Sequence, residues 1–402
     1  MNSIFEKTDI LVGDIQNLDK IQPVIPFKDE VIEFLSELSK KILFDKDAKD
    51  YPDVISFGFW CRKSNINKLS FEYLNTYNRI GLGLVFHITP TNVPVNFAFS
   101  YAFSLLAGNS NIVRVPSSNF KQVEIICRII NNVFSKQKFP NIFKKTLFIR
   151  YSQNDQVTSF LSTLCNARIL WGGDKTVNTI RQIPIPARSI DITFSDRLSF
   201  SIIDPYEVSI LSDSDLRRLA LNFYNDTYLM DQNACSSPHL IVWKNKKKSN
   251  FEKEKNRFWT AVRELAESKY ELQPVNAIDK FTLLCSDAIN NSHFKNFTYN
   301  SNYLFLVNIE LVPDNIRTLN GKFGYFYEVT IFDINELSKI IETKVQTITY
   351  FGVPKKEIFN FIIEGGLIGV DRIVPIGTAL DIGIYWDGYD LIRTLSRVIL
   401  LN

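Results

Sequence analysis

The sequence predicts an α/β protein built on a doubly wound parallel sheet, and three observations predict it. Short unbroken apolar runs, such as Gly81 to Ile88 and Leu240 to Trp243, are bounded by turn signals, as expected of parallel strands buried on both faces. Between these runs, apolar residues recur at three- and four-residue steps, as at Val123, Ile126, Ile130 and Val133, which is the pattern of an amphipathic helix. Strand and helix patterns also alternate through short Gly-, Pro- and Asn-containing connections, the arrangement that builds βαβ units.

The elements follow in order. Residues 1 to 27 read as an extended or irregular lead-in closed by Pro23 and Pro26. From Asp29, the set Ile32, Leu35, Leu38 and Ile42 describes an amphipathic helix. Residues 56 to 78 are mixed and aromatic and give no firm assignment. After the strand ending at Ile88 comes the turn Thr89 to Pro94; Pro94 can open the apolar helix Val95 to Leu106, because proline in the first helical turn sacrifices no hydrogen bond. Strands are expected at 111–115, 146–151, 168–171, 189–194 and 200–203, with helices at 119–134, 155–164 and 175–182 among them. Helix 213–228 then leads into the segment Asp231 to Pro238. The alternation restarts with strand 240–243, helix 251–271 and further units at 276–289, 303–309, 325–332, 334–342, 347–351 and 355–364. By periodicity the segment from Trp386 to Leu391 reads as a capped terminal helix. This gives residues 1–228 as lead-in plus first α/β domain, 229–385 as second domain, and 386–402 as a segment packing back on the body.

Composition narrows the function classes. With 402 residues, 45% hydrophobic and 22% charged, the chain describes a globular protein of two domains. A net charge of +3 supplies no field for nucleic acid or an anionic membrane, and the run Lys246-Lys247-Lys248 is followed at once by Glu252 and Glu254, so it reads as a solvated loop. The longest apolar stretch, Phe97 to Ala107, is short of the ~20 residues that cross a bilayer. Five singly placed cysteines (Cys61, Cys127, Cys165, Cys235, Cys285) and three dispersed histidines (His87, His239, His293) offer neither CxxC nor HxxxH spacing. A cytosolic protein without a disulfide framework or a metal is therefore expected.

Three stretches can carry chemistry. Asp231-Gln232-Asn233-Ala234-Cys235-Ser236-Ser237-Pro238 sets a cysteine among small residues, so a carbonyl can approach a thiolate nucleophile at a domain boundary. Asn92 follows a parallel strand at the end where open α/β sheets place ligands, and its amide could serve an oxyanion together with the nucleophile's own N–H. Gly108 to Ser117 ends a strand in Arg114, Pro116 and Ser117, suited to an adenosine ribose and, through arginine, to a 2'-phosphate; Trp171-Gly172-Gly173-Asp174 opens a helix whose free N–H groups favour a pyrophosphate. Each has a plain alternative. Cys235 can be a small buried hydrophobe, Asn92 a turn residue beside proline, Arg114 an exposed charge, and His87 a satisfied strand histidine.

Taken jointly and in this order, Thr89 to Pro94, Gly108 to Ser117, Gly172-Gly173 and Cys235 resemble the aldehyde dehydrogenase superfamily. More narrowly, Gln232 to Pro238, Gly369-Val370-Asp371-Arg372-Ile373-Val374-Pro375-Ile376-Gly377 and Trp386-Asp387-Gly388-Tyr389-Asp390-Leu391 resemble the LuxC acyl-CoA reductase family, which supplies aldehyde in bacterial bioluminescence and has many other members. The resemblance covers residues from about 80 to 400. It implies an aldehyde dehydrogenase-like fold, a dinucleotide-binding domain followed by a catalytic domain, with Cys235 as acyl-accepting nucleophile and Asn92 as oxyanion donor. It places Arg114, Ser117, Gly172 and Gly173 around NADPH, or NADH. It further implies an acyl-CoA substrate, an acyl-protein synthetase as possible partner, and a homo-oligomer.

Two departures from the superfamily pattern matter. Aldehyde-oxidising members carry a glutamate about thirty residues before the cysteine, a base that activates water; the matching stretch here, Phe194-Ser195-Asp196-Arg197-Leu198-Ser199, has none. The superfamily's Glu-x-Phe-Gly ribose contact reads Gly321-Lys322-Phe323-Gly324, which leaves open whether Glu328 substitutes. The expected chemistry is reduction of an acyl thioester to aldehyde. Oxidation of aldehyde, acyl transfer or thioester hydrolysis without redox chemistry, and a non-catalytic partner role stand as alternatives.

Overall fold

The computed structural model describes residues 8–17, 22–71, 73, 78–90, 93–152, 155–247 and 250–401. By contacts the chain forms two compact units, Met1–Ser195 with Tyr389–Asn402, and Asp196–Gly388.

The first unit carries a six-stranded sheet in the order Asp9–Gly13, Thr146–Arg150, Ser110–Arg114, Leu84–Ile88, Ala167–Trp171, Ile190–Phe194. The last five are mutually parallel, whereas Asp9–Gly13 runs antiparallel on the edge. That edge strand lies inside the expected irregular lead-in. It ends at Gly13, with φ 87°, where a Cβ would sit 1.8 Å from the Thr146 carbonyl oxygen, so only glycine closes the turn. The apolar helix begins at Asn96 and runs to Leu106 with Phe97 through Leu106 all buried. The unassigned aromatic stretch forms two short helices, Pro52–Trp60 and Lys63–Phe71. Phe57 and Trp60 pack edge-on against Phe99 and Phe103 of the buried helix, which explains their aromatic composition.

The second unit carries a seven-stranded sheet in the order Phe294–Ser301, Leu304–Ile309, Tyr325–Ile331, Pro238–Lys244, Leu198–Ile203, Val345–Phe351, Arg372–Pro375. Its pairs are parallel except for the antiparallel hairpin of the first two strands. All seven residues of Pro238–Lys244 are buried, as a central parallel strand requires. One face buries Leu240, Val242, Tyr327 and Ile348; the other buries Ile241, Trp243 and Phe326 under the helices Asp213–Thr227 and Glu252–Lys269.

The sequence reading divides the domains at 228/229, and the contacts divide the units at 195/196. Leu198–Ile203 pairs with Pro238–Lys244 and Val345–Phe351, so residues 196–228 belong with the second sheet. The adjoining runs 190–194 and 198–203 are alike in character, and pairing alone separates them. The segment Trp386 to Leu391, expected as a terminal helix, is instead extended at Tyr385–Trp386 and Tyr389–Asp390, because the left-handed Asp387-Gly388 pair breaks any helix and the aromatic residues favour strand. One helical turn follows, Leu391–Thr394, capped by Asp390, whose carboxylate accepts from the Arg393 N–H at 3.0 Å. Ser396–Val398 then pairs antiparallel with Arg79–Gly81. Among the described residues no helix is long and apolar enough to cross a membrane.

Candidate active site

Cys235 lies in the turn between the helix Asp213–Thr227 and the strand Pro238–Lys244. The chain enters that turn through Asp231 and Gln232, both left-handed at φ 53° and 57°, a conformation that costs non-glycine residues energy unless surrounding bonds hold it. Gln232 supplies those bonds. Its fully buried side chain accepts from the N–H groups of Gly324 (2.7 Å) and Tyr325 (3.1 Å) and donates to the carbonyls of Tyr325 (3.2 Å) and Pro238 (3.4 Å). On the other side, the Ser199 hydroxyl donates to the Cys235 carbonyl at 2.7 Å and accepts from the Thr347 N–H at 3.1 Å. Ser237 donates to the Asp226 carbonyl at 2.7 Å.

Held in this way, Cys235 is exposed, as is Cys285, whereas Cys61, Cys127 and Cys165 are buried. Desolvation by the protein around it pushes the Cys235 thiol above its ordinary value. A hydrogen bond from the Arg197 backbone pulls it down, Asp387 and Asp196 push it up, and the Arg197 charge pulls it down. The group rests as a thiol near neutral pH and must lose a proton to act.

The loop Gly321–Gly324 is tied to the same segment. His239 donates from Nδ1 to the Gly321 carbonyl at 2.6 Å, and Lys280 donates to the carbonyls of Phe323, at 2.8 Å, and Asn302. Burial holds His239 neutral, its value lowered to about 4, and lowers Lys280 to about 7. Glu328 is engaged elsewhere: it accepts from the indoles of Trp243 (2.6 Å) and Trp259 (2.7 Å) and pairs with Lys255 at 3.3 Å. It lines a cavity of about 540 Å³ whose walls do not include Cys235. Both carboxylate oxygens of Glu328 thus already have partners within this unit.

The C-terminal signature also converges here. Arg197 donates to the Asp371 carboxylate at 2.6 Å and to the Val345 carbonyl at 2.9 Å, and its other terminal nitrogen lies 3.9 Å from Asp387, whose carboxylate accepts from Gln346. Arg372 donates to the carbonyls of Ala379 (2.8 Å), Thr378 (3.2 Å) and Asp381 (3.0 Å) and stacks on Trp386. Asp226 accepts from the N–H groups of Gly377 (2.6 Å) and Ala379 (2.9 Å), and burial raises its value to about 7. Sequence reasoning singled out these motifs without their roles. Arg197 lies 174 residues from Asp371, and Asp226 lies 151 and 153 residues from Gly377 and Ala379, so no local signal could have found those pairings.

In the first unit, Arg114 ends the strand Ser110–Arg114, and Gly172 and Gly173 follow Ala167–Trp171; these strands flank Leu84–Ile88 in parallel, so the three following turns leave one edge of the sheet. Asn92 belongs to the middle turn and lies outside the described residues. The Arg114 guanidinium sits 4.7 Å over the Tyr151 ring, with its buried Nε lacking a hydrogen-bond partner, and Ser117 is exposed. Gly173 caps the helix Asp174–Arg181 without a side-chain bond, and a Cβ at Gly172 would meet only the Thr176 side chain, no nearer than 3.4 Å. An unpartnered arginine N–H and an uncapped, uncrowded helix start both fit a phosphorylated dinucleotide.

His87 is a core histidine. Trp171 donates to Ser100 (3.1 Å), Ser100 lies 2.7 Å from Nδ1, Nε2 lies 3.0 Å from the Asn111 side-chain Oδ1, and the Asn111 side-chain amide donates to the Asn109 backbone carbonyl (3.2 Å). The chain of donors assigns the neutral Nε2–H tautomer, and burial lowers the ring to about 4.

The model of the family described as acyl-CoA reductase (LuxC) matches residues 65–277, more than half of the chain. The chain belongs to the LuxC acyl-CoA reductase family. It is accordingly an oxidoreductase of acyl or aldehyde groups. No curated protein matches it by sequence. Among solved structures, a 1-pyrroline-5-carboxylate dehydrogenase from Thermus with bound NAD is similar at TM-score 0.62 and 13% identity, over 96% of this chain and 83% of that one. Aldehyde dehydrogenase 21 from Physcomitrella patens, in complex with the reaction product succinate, is similar at TM-score 0.59 and 13% identity, over 93% of this chain and 84% of that one. At such identity these likenesses show the fold, which is aldehyde dehydrogenase-like.

Proposed function

We propose that this chain reduces an acyl-CoA thioester, of fatty chain length, to the aldehyde, with Cys235 carrying the acyl group and NADPH as reductant. The observation that carries the reading is Cys235 itself: an exposed thiol in a turn fixed on one side by Gln232 and on the other by Ser199. The Cys235 thiolate attacks the thioester carbonyl, and the oxyanion is held by the Cys235 N–H and the Asn92 amide. The CoA thiolate leaves and takes up a proton. The acyl group then rests on Cys235, and the absence of glutamate from 194–199 leaves no such base to drive its hydrolysis. Arg114 would hold the 2'-phosphate, with Ser117, Gly172 and Gly173 around the dinucleotide. Bound NADPH supplies hydride to the acyl carbon. The resulting thiohemiacetal collapses, returning the thiolate to Cys235 and releasing aldehyde.

The test follows NADPH and NADH absorbance with acyl-CoA thioesters from acetyl to palmitoyl, using wild type and Cys235→Ala. Oxidation that depends on acyl-CoA and is lost in the variant is expected. Acylation of Cys235 without consumption of either nucleotide would replace the reductase by an acyltransferase.

A further inference from the structure

The helix Pro274–Asn290 of the second unit turns polar residues inward and apolar residues outward. Its buried residues, Lys280, Leu284 and Asp287, fall on one stripe. Lys280 donates to the carbonyls of Phe323 and Asn302, and Asp287 accepts from the hydroxyls of Tyr325 (2.6 Å) and Tyr327 (2.7 Å), so polar bonds tie the helix down. The opposite stripe presents Val275, Ile278, Phe281 and Ile289 to solvent, at exposures of 58 to 82%. A surface helix ordinarily does the reverse. The patch continues onto the edge of the sheet. The Phe305 ring lies 4.9 Å from the Lys280 Nζ and 5.0 Å from the Tyr299 ring, so the helix and the edge strand Phe294–Ser301 cover the same face side by side. Tyr299 and Phe297, two residues apart and therefore both on that face, are each half-exposed. Among the described residues no strand pairs with the outer side of Phe294–Ser301.

We propose that this helix face and strand edge form the interface with a second copy of the chain, related to the first by a two-fold axis. Three observations select a copy over another occupant. The six apolar side chains, each exposing on the order of 100 Å², supply most of the ~800 Å² that each partner buries in a stable dimer. Of the helix's charged residues, Asp279, Lys280 and Asp287, only Asp279 is exposed, and the strand's own charge, Lys295, stands with Glu252 and Glu328 in the wall of the cavity described above. The face therefore offers no charge for an acidic or basic partner to read, and two copies meet on it without repulsion. Finally, an unpaired edge strand brought to its own copy by a two-fold axis meets it antiparallel, so each completes the other's hydrogen bonds and the two sheets join. The proposal rests neither on Cys235 nor on its substrate.

The experiment measures the mass of the full chain by sedimentation equilibrium as its concentration rises through the micromolar range, for wild type, Ile278→Asp, Ile289→Asp and Ile278→Leu. It needs neither CoA nor nicotinamide, so its failure is distinct from failure of the reductase reading. Wild type is expected to associate in even-numbered oligomers. Each aspartate, which association would strip of water inside an apolar patch, should raise the dissociation constant of that interface by about tenfold or more. Ile278→Leu keeps the apolar surface and should match wild type. Both aspartate positions are exposed in the single chain, so either variant serves if the other does not fold. A wild type that stays monomeric, or aspartate variants that associate as tightly as wild type, overturns the proposal. A monomer that binds phosphatidylcholine vesicles, and loses them in Ile278→Asp, would give the face to a membrane and overturn it equally.

Discussion

A primary amide offers two donors and an oxygen with two lone pairs, and Gln232 uses all four within its unit. Gln232→Ala would leave the N–H groups of Gly324 and Tyr325 buried and unpaired, each costing about 1–3 kcal/mol. Urea unfolding of the variant should show a loss on the order of 3 kcal/mol, and wild-type stability would contradict the role given to this side chain. At the same scale the plain and functional readings of Cys235 separate. The thiol is exposed where a buried small hydrophobe was the alternative, and His87, readable either way in sequence, is enclosed by its hydrogen-bond chain.

Among the elements, the parallel strands were legible because burial on both faces leaves a continuous apolar run, as at Leu84–Ile88 and Pro238–Lys244. The edge strands Asp9–Gly13 and Phe294–Ser301 were not, since the apolar run of the first is only Ile10 to Val12 and polar residues interrupt that of the second. The C-terminal ribbon depends on contacts distant in sequence. Asn109 donates to the Leu395 carbonyl at 2.9 Å and to Ser104 at 3.2 Å, and accepts from the Gly83 N–H at 3.0 Å. Asn109→Ala should release the ribbon, so the amides of Ser396–Val398 should exchange with deuterium at least tenfold faster, the equivalent of about 1.4 kcal/mol. Unchanged protection there would show that Asn109 does not hold it.

For the whole molecule, each unit encloses one neutral histidine, His87 in the first and His239 in the second, and both are lowered from 6.5 to about 4 by burial. Below pH 6.5 the unfolded chain takes up protons that the folded units refuse, so stability is complete above that pH and is lost as pH falls toward about 4. At pH 5 the loss should be about 2 kcal/mol for each histidine, offset in the second unit by Asp226, whose carboxyl, raised to about 7, takes up a proton in the folded unit as pH falls. The His87 contribution is read as the part of the change in urea stability between pH 7.5 and 5 that His87→Gln abolishes, and an unchanged pH dependence in that variant would contradict the burial. What could be read from the sequence at this scale was the alternation and the order of the motifs, because both are local. The unit boundary and the Arg197–Asp371–Asp387 cluster arise from pairings across long stretches of chain, which no window of sequence contains. The central claim, that Cys235 carries the acyl group between thioester and aldehyde, is tested most directly by mixing the protein with acyl-CoA, quenching in acid and weighing the peptide that contains residue 235, before and after a chase with NADPH. The account predicts an acyl mass on Cys235 that disappears on the chase with one aldehyde released per NADPH oxidised. An acyl mass that leaves as free acid without NADPH oxidation, or that never forms on Cys235, would contradict it.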